Sequence, residues 1–261
     1  MEGDMAGKIY VTGDCHYNYK KFNTKNFSEQ QQLDKQDYIL ICGDFGGVWD
    51  LQGESSDEKH WMDWMDQKSY TTLFVDGNHE NFDRLNQYPV EQWNGGNVHK
   101  IRPSVIHLMR GQVYDIAGKK IFSFGGAASH DTAGGILNTD DPSFKIKRKM
   151  LDKQWIPYRI NHISWWKEEL ASNQEIQEAQ RNLQKCHYSV DYIITHCCSS
   201  STQKQLGVHG LYGKNIQTEF LDWVKTNVSF KKWYFGHYHM DKIVNDSEVL
   251  LYDKILSLEN S

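Results

Sequence analysis

Five short clusters carry oxygen and imidazole donors in a fixed order: Asp14-Cys15-His16, Gly43-Asp44, Gly77-Asn78-His79-Glu80, His196, and Gly236-His237-Tyr238-His239. Carboxylate, amide carbonyl and imidazole hold hard and borderline cations. Each cluster follows a short apolar run, so the donors stand where buried strands would end. Together they suffice for two metal ions side by side, and such a pair suits attack on a phosphate ester. No cluster is persuasive alone: His-x-His is often a polar strand end, and Asn-Gly-like sequences make plain turns. Their joint occurrence carries the chemistry.

Side chains i and i+2 of a strand share a face. If extended geometry continues past Thr12, Asp14 and His16 reach one ion together, and His237 and His239 repeat that spacing. Cys15 then points to the opposite face and is not a ligand. Asp44 offers two oxygens that can bridge two cations, Asn78 a neutral carbonyl oxygen, and His196 completes the set. A donor set without thiolate suits Mn, Fe, Zn or Ni without choosing among them; two divalent or trivalent ions are expected, with Mn the first expectation.

In this order the clusters closely resemble the calcineurin-like metallophosphoesterase family, whose pattern is D-x-H, G-D, G-N-H-[ED], a lone H, and G-H-x-H. The matched positions run from Asp14 to His239, nearly the whole chain. Carried over position by position, the resemblance implies one ion on Asp14, His16, Asp44 and His239, and another on Asp44, Asn78, His196 and His237. It implies hydrolysis of phosphate mono- or diesters by a metal-bridging hydroxide, with His79 as acid or oxyanion stabiliser at the leaving oxygen. Glu80 is expected at a helix start or behind the ligands, and Asp76 to orient a ligand histidine.

Ser/Thr protein phosphatases of the same superfamily extend the second motif to G-D-x-x-D-R-G. Here the stretch reads Gly43-Asp44-Phe45-Gly46-Gly47-Val48-Trp49, without the second Asp or the Arg. That counts against a protein phosphatase and leaves His79 without an identified orienting partner. The closing G-H-x-H is nearer to the phosphodiesterase and small-molecule phosphatase branches. The same fold could also serve a nuclease or a non-catalytic scaffold. The net charge of -5 counts against a nucleic-acid polymer as partner, and the filled ligand positions count against a scaffold.

The elements that must position these groups follow from apolar, β-branched runs bounded by Gly or Asp. They predict strands over Lys8–Thr12, Tyr38–Cys42, Thr72–Val75, Tyr192–Thr195, Lys232–Phe235 and Val249–Tyr252, and a hairpin of Gln112–Ile116 with Lys119–Phe124 turning at Gly118. Helices are predicted over Asp57–Lys68, with Trp61, Trp64, Met65 and Lys68 in helical spacing, over Asn173–Lys185 capped by Ser172, and over Gln217–Lys225. Strands alternating with helices indicate an α/β fold. The hairpin makes the pairing mixed, so two facing mixed β-sheets flanked by helices satisfy both observations, and the family resemblance implies the same four-layer sandwich.

At 261 residues the chain fits one domain, 1–261. Segment 125–166 breaks the rhythm and is read as an insertion that shapes the pocket for a small phosphorylated substrate. Its tryptophans suggest stacking on a base or ring, hence a nucleotide-like compound. Arg148 and Arg159 within it are the phosphate-clamp candidates, His130 is a non-motif histidine to watch because it lies in that segment, and Lys145–Lys149 reads as a solvated helix face in preference to a phosphate or polyanion contact. Five cysteines without C-x-x-C spacing fit reduced thiols in a cytoplasmic protein. Met1 to Lys8 lacks an apolar leader, and no apolar run approaches membrane-spanning length.

Overall fold

The computed structural model describes residues 7–258. The N-terminal segment read above as leaderless lies, as far as residue 6, outside the described residues.

In chain order the strands are β1 (Ile9–Thr12), β2 (Tyr38–Ile41), β3 (Thr71–Phe74), β4 (Val90–Trp93), β5 (Gly96–Arg102), β6 (Val105–Leu108), β7 (Gln112–Ile116), β8 (Lys119–Phe124), β9 (Ile136–Leu137), β10 (Arg159–Ile160), β11 (Tyr192–Thr195), β12 (Lys232–Phe235), β13 (Lys242–Ile243), β14 (Glu248–Leu250) and β15 (Ile255–Ser257). The α-helices are α1 (Ser56–Asp66), α2 (Phe82–Leu85), α3 (Phe144–Gln154), α4 (Asn173–Lys185), α5 (Ser200–Leu206), α6 (His209–Tyr212) and α7 (Ile216–Asn227).

A seven-stranded sheet runs β15-β1-β2-β3-β6-β5-β4, and a six-stranded sheet runs β13-β14-β12-β11-β8-β7. The inner pairings of both are parallel, and the outer ones antiparallel. This is the expected α/β architecture of two mixed sheets with helices outside. The inner strands are covered on both faces, which is why they read as apolar runs. Val11, Leu40 and Leu73 point between the sheets, against Tyr114, Ile194 and Tyr234. Their neighbours Ile39, Ile41 and Phe74 point outward to Met62 and Met65 of α1. Under the other sheet, Phe122, Ile193 and Trp233 pack with Leu183 of α4 and Leu221 of α7.

The β7–β8 hairpin forms as expected through a turn with positive φ at Ala117 and Gly118. Ser172 caps α4 in a capping box with Glu175. The buried face of α1 differs from the expected one: Glu58, Met62 and Met65 are buried, whereas Trp61 and Trp64 are half-buried. Glu58 can sit inside because Arg84 Nη1 reaches its Oε2 at 2.6 Å. Segment 125–166 holds β9, α3 and β10, with β9 and β10 forming a separate parallel pair. Lys145–Lys149 lies on α3 and is exposed. Trp166 Nε1 and His162 Nδ1 both bond Asp83, anchoring the segment. No helix of the described residues is long and apolar enough to cross a membrane.

Candidate metal centre

The motif residues follow the C-terminal ends of β1, β2 and β3 in one sheet and of β11 and β12 in the other. Crevices at such strand ends are where α/β folds gather polar groups. Asp14, His16, Asp44 and His239 bring one donor atom each to within 4.8 Å of one another. His16 Nε2 lies 2.9 Å from His239 Nε2 and 3.5 Å from Asp44 Oδ2. A second group adjoins it: His196 Nε2 lies 3.2 Å from Asn78 Oδ1 and 3.4 Å from Asp44 Oδ1, and the His237 ring packs 4.9 Å from that of His196. All seven expected ligand positions therefore fall in two adjoining groups that share Asp44.

The route to this convergence differs from strand alternation. β1 ends at Thr12, and His16 has φ 46°. Asp44, His237 and His239 also have positive φ, at 43°, 71° and 49°. Left-handed backbone at non-glycine residues is costly and concentrates at sites where the surroundings enforce it. Here the turns, and not a pleat, aim the side chains. Two motif glycines are required by crowding. A Cβ on Gly77 would stand 1.9 Å from Asp44 Oδ1, and one on Gly236 would stand 2.0 Å from Asp14 Oδ1.

The residues present fit cations. Asp44 Oδ2 is buried without a hydrogen-bond partner among the described residues, an unfavourable state for a carboxylate oxygen. His196 Nδ1 lies 2.8 Å from the Cys42 carbonyl, which can only accept, so Nδ1 carries the proton. Its Nε2 then faces two oxygens, Asn78 Oδ1 and Asp44 Oδ1, which suits a neutral imidazole only when a cation lies between them. Without one, the Asp44 and Asp14 carboxylates outweigh burial and raise the His196 pKa to about 9. Burial opposes charge on Asp14 and Asp44 too, yet the surrounding histidines hold both well below the usual carboxylate range. Cys15 packs among Tyr19, Phe22 and Phe45, and burial pushes its thiol up to about 12, as befits a non-ligand.

His79 donates its backbone N–H to Asp44 Oδ1 at 2.7 Å. Its Nε2 lies 3.4 Å from Arg159 Nη2, and Arg159 is held by Asp131 through Nε at 2.8 Å and Nη2 at 2.7 Å. Burial and the Arg159 charge lower the His79 pKa against the pull of Asp44. Arg148 is not at the site: it lies exposed on α3, 3.2 Å from the Tyr158 hydroxyl, because its helix face turns to solvent. Asp76, expected to orient a ligand histidine, instead bonds His107 at 3.2 Å and Arg110 Nε at 2.8 Å. Glu80 starts no helix, since Asn81 caps α2. It sits buried behind the Asp44 loop, accepting from Phe45 N at 2.8 Å and Gly46 N at 3.3 Å, with its pKa pushed up by burial.

Of the tryptophans of segment 125–166, Trp155 and Trp166 form no stacking platform, and Trp165 is half-buried. Trp155 is 93% exposed at the left-handed end of α3, and Trp166 is fully buried. The indole beside His79 is Trp49, with ring centres 6.4 Å apart. His130 packs on Tyr212, which packs on His237. Two supporting residues escape a reading of the motifs. Ser129 accepts from Asn78 Nδ2 at 3.3 Å, fixing which amide atom faces His196, and it follows a strand end like the motifs do. Lys21 Nζ ties Asp14 O to Tyr252 O at 2.7 and 2.6 Å, and nothing in its sequence context marks it.

A family model described as calcineurin-like phosphoesterase matches residues 7–249. Lariat debranching enzyme A of Xenopus laevis is 28% identical over 141 residues, which cover 49% of this chain and 25% of that protein. The match thus spans about a quarter of that relative's length. Among solved structures, the phosphopantetheinyl hydrolase PptH of Mycobacterium tuberculosis is similar over 95% of this chain and 89% of that one, at 12% identity and a TM-score of 0.47. The chain belongs to the calcineurin-like phosphoesterase family, whose chemistry is phosphoester hydrolysis.

Proposed function

We propose that the protein is a metal-dependent hydrolase of small phosphate mono- or diesters. One observation carries this reading: Asp44 stands between the two donor groups, Oδ1 3.4 Å from His196 Nε2 and Oδ2 3.5 Å from His16 Nε2. One ion would be held by Asp14, His16, Asp44 and His239, and another by Asp44, Asn78, His196 and His237. Mn is the first choice, and Fe, Zn or Ni suit the same donors. When bound, such a pair supplies Lewis acidity toward water and the phosphoryl oxygens.

The chain's own residues supply the rest. Asp44 is fixed from two sides, by the His79 backbone N–H and by the loop that Glu80 holds. With Nε and Nη2 engaged by Asp131 and Nη1 3.4 Å from Ser164 O, Arg159 offers its remaining Nη N–H groups to the ester's oxygens. His79 beside it stabilises the charge of the departing alkoxide or, from the ring nitrogen that does not face Arg159, hands it a proton. Arg159 would thus take over the clamp that the second motif lacks. It comes from segment 125–166, which supports reading that segment as a pocket-shaping insertion in a single domain. The different origin of the clamp disfavours a Ser/Thr protein phosphatase. Asp50, Asp57 and Glu58 beside His16 and His79 disfavour a polyanion such as nucleic acid. All five cysteines are free, which supports a reducing, cytoplasmic setting.

The test is hydrolysis of p-nitrophenyl phosphate and bis-p-nitrophenyl phosphate by the Mn-loaded chain, beside Asp44→Ala. Cleavage of either ester, lost in the variant, is expected. Cleavage of neither would overturn the reading.

A further inference from the structure

A cavity of about 380 Å³ opens directly beside the centre, with His16 and His79 at its edge. Its walls differ from those of a phosphate pocket. Trp49 and Tyr17 give it aromatic surface, and Asp50 and Asp57 give it two carboxylates besides that of Glu58, which is paired with Arg84. Among the described residues, no lysine or arginine lines it. Of the two Glu58 oxygens, Arg84 reaches Oε2, which also accepts from the Asp50 N–H at 3.2 Å. The other oxygen, Glu58 Oε1, is buried and has no hydrogen-bond partner among the described residues, and the residue is only 1% exposed. A carboxylate oxygen left in that state lacks a donor or a cation.

Such walls repel a phosphate chain and attract a positive charge. Indole and phenol faces with nearby carboxylates are the recognition chemistry of alkylammonium groups. The cavity has at its edge His79, the residue read above as acting at the leaving oxygen, so the leaving group is the part of the substrate directed into it. We propose that this cavity receives the leaving group of the substrate and that this group is a cationic amino alcohol, so that the substrates are small alkylammonium phosphoesters. The inference rests on the phosphoesterase reading above. In the reaction the oxygen of water bonds to phosphorus, the phosphorus–oxygen bond to the amino alcohol breaks, and the alcohol departs with a proton that one proton of that water supplies, directly or by replacing the one His79 gives up.

Phosphocholine and neohexyl phosphate, its uncharged carbon isostere, test the assignment on the metal-loaded full chain. kcat/KM for phosphocholine is expected to exceed that for the isostere by about 10-fold or more, the discrimination of one desolvated cation–π and carboxylate site. In Asp50→Asn/Asp57→Asn the ratio falls toward one. A ratio near one in the unaltered protein overturns the proposal while leaving phosphoester hydrolysis standing. Failure to cleave these esters, p-nitrophenyl phosphate and bis-p-nitrophenyl phosphate alike overturns the parent reading, and the proposal with it. Binding gives a readout without turnover. Calorimetric titration with choline and with neohexyl alcohol should show choline tighter by about 10-fold, and Trp49→Leu should remove the difference. Equal affinities overturn the proposal.

Discussion

Arg159 Nη2 lies 3.4 Å from His79 Nε2 across 80 residues of chain. Asp131 grips the same guanidinium at 2.7 Å, so the arginine is aimed and not merely nearby. If the pair acts on the ester, Arg159→Met lowers kcat/KM by about 100-fold or more, the usual loss on removing one preorganised donor. Arg159→Lys recovers only part, since a lysine cannot bond two oxygens in a plane. Steady-state kinetics check this, with circular dichroism confirming the fold.

Glu80 supports Asp44 without lying among the expected ligands, through the Phe45 and Gly46 N–H groups. Glu80→Ala should weaken metal affinity by about 10- to 100-fold, as loss of an outer hydrogen-bond partner does. Calorimetric Mn titration measures it, and unchanged affinity would show the Asp44 loop to be held by other contacts.

His99 is buried 3.2 Å from His107, and burial with that neighbour lowers its pKa to about 4. The group is neutral in both folded and unfolded chains above about pH 6.5. Below that the unfolded chain takes up the proton first, so stability falls between about pH 6.5 and 4, approaching about 1.4 kcal/mol per pH unit for one proton. His99→Gln should flatten this slope relative to the unaltered chain in urea titrations at a series of pH values. The comparison between the two chains isolates His99 from the other titrating groups.

Ser172 accepts from Glu175 N at 3.2 Å and completes a capping box at the start of α4. Ser172→Ala should cost about 1 kcal/mol, a fall in Tm of about 2–4 °C for a chain of this size. Thermal unfolding followed by circular dichroism measures it.

The central strands and the motif donors were legible in the sequence, because β1, β2, β3, β11 and β12 are apolar runs that end in chemistry-bearing residues. What spacing did not convey was how the donors meet. His16, Asp44, His237 and His239 turn through left-handed backbone that only the assembled crevice enforces. Arg148 and Arg159 looked alike as basic residues of one segment. A solvent-facing helix takes one away, and a short strand with Asp131 delivers the other. The β4–β5 hairpin did carry a local signal, Asn94-Gly95 with φ 46° and 92°, the favoured two-residue hairpin turn. The buried face of α1 did not, since nothing local reveals that Arg84 will neutralise Glu58.

In the proposed reading Asp44 joins two metal sites, its Oδ1 facing His196 and its Oδ2 facing His16. Electron paramagnetic resonance of the Mn-loaded chain tests it most directly. A carboxylate-bridged pair predicts an exchange-coupled multiline spectrum at a loading of about two ions per chain, collapsing in Asp44→Ala. A simple six-line spectrum of isolated Mn at every loading would contradict the account.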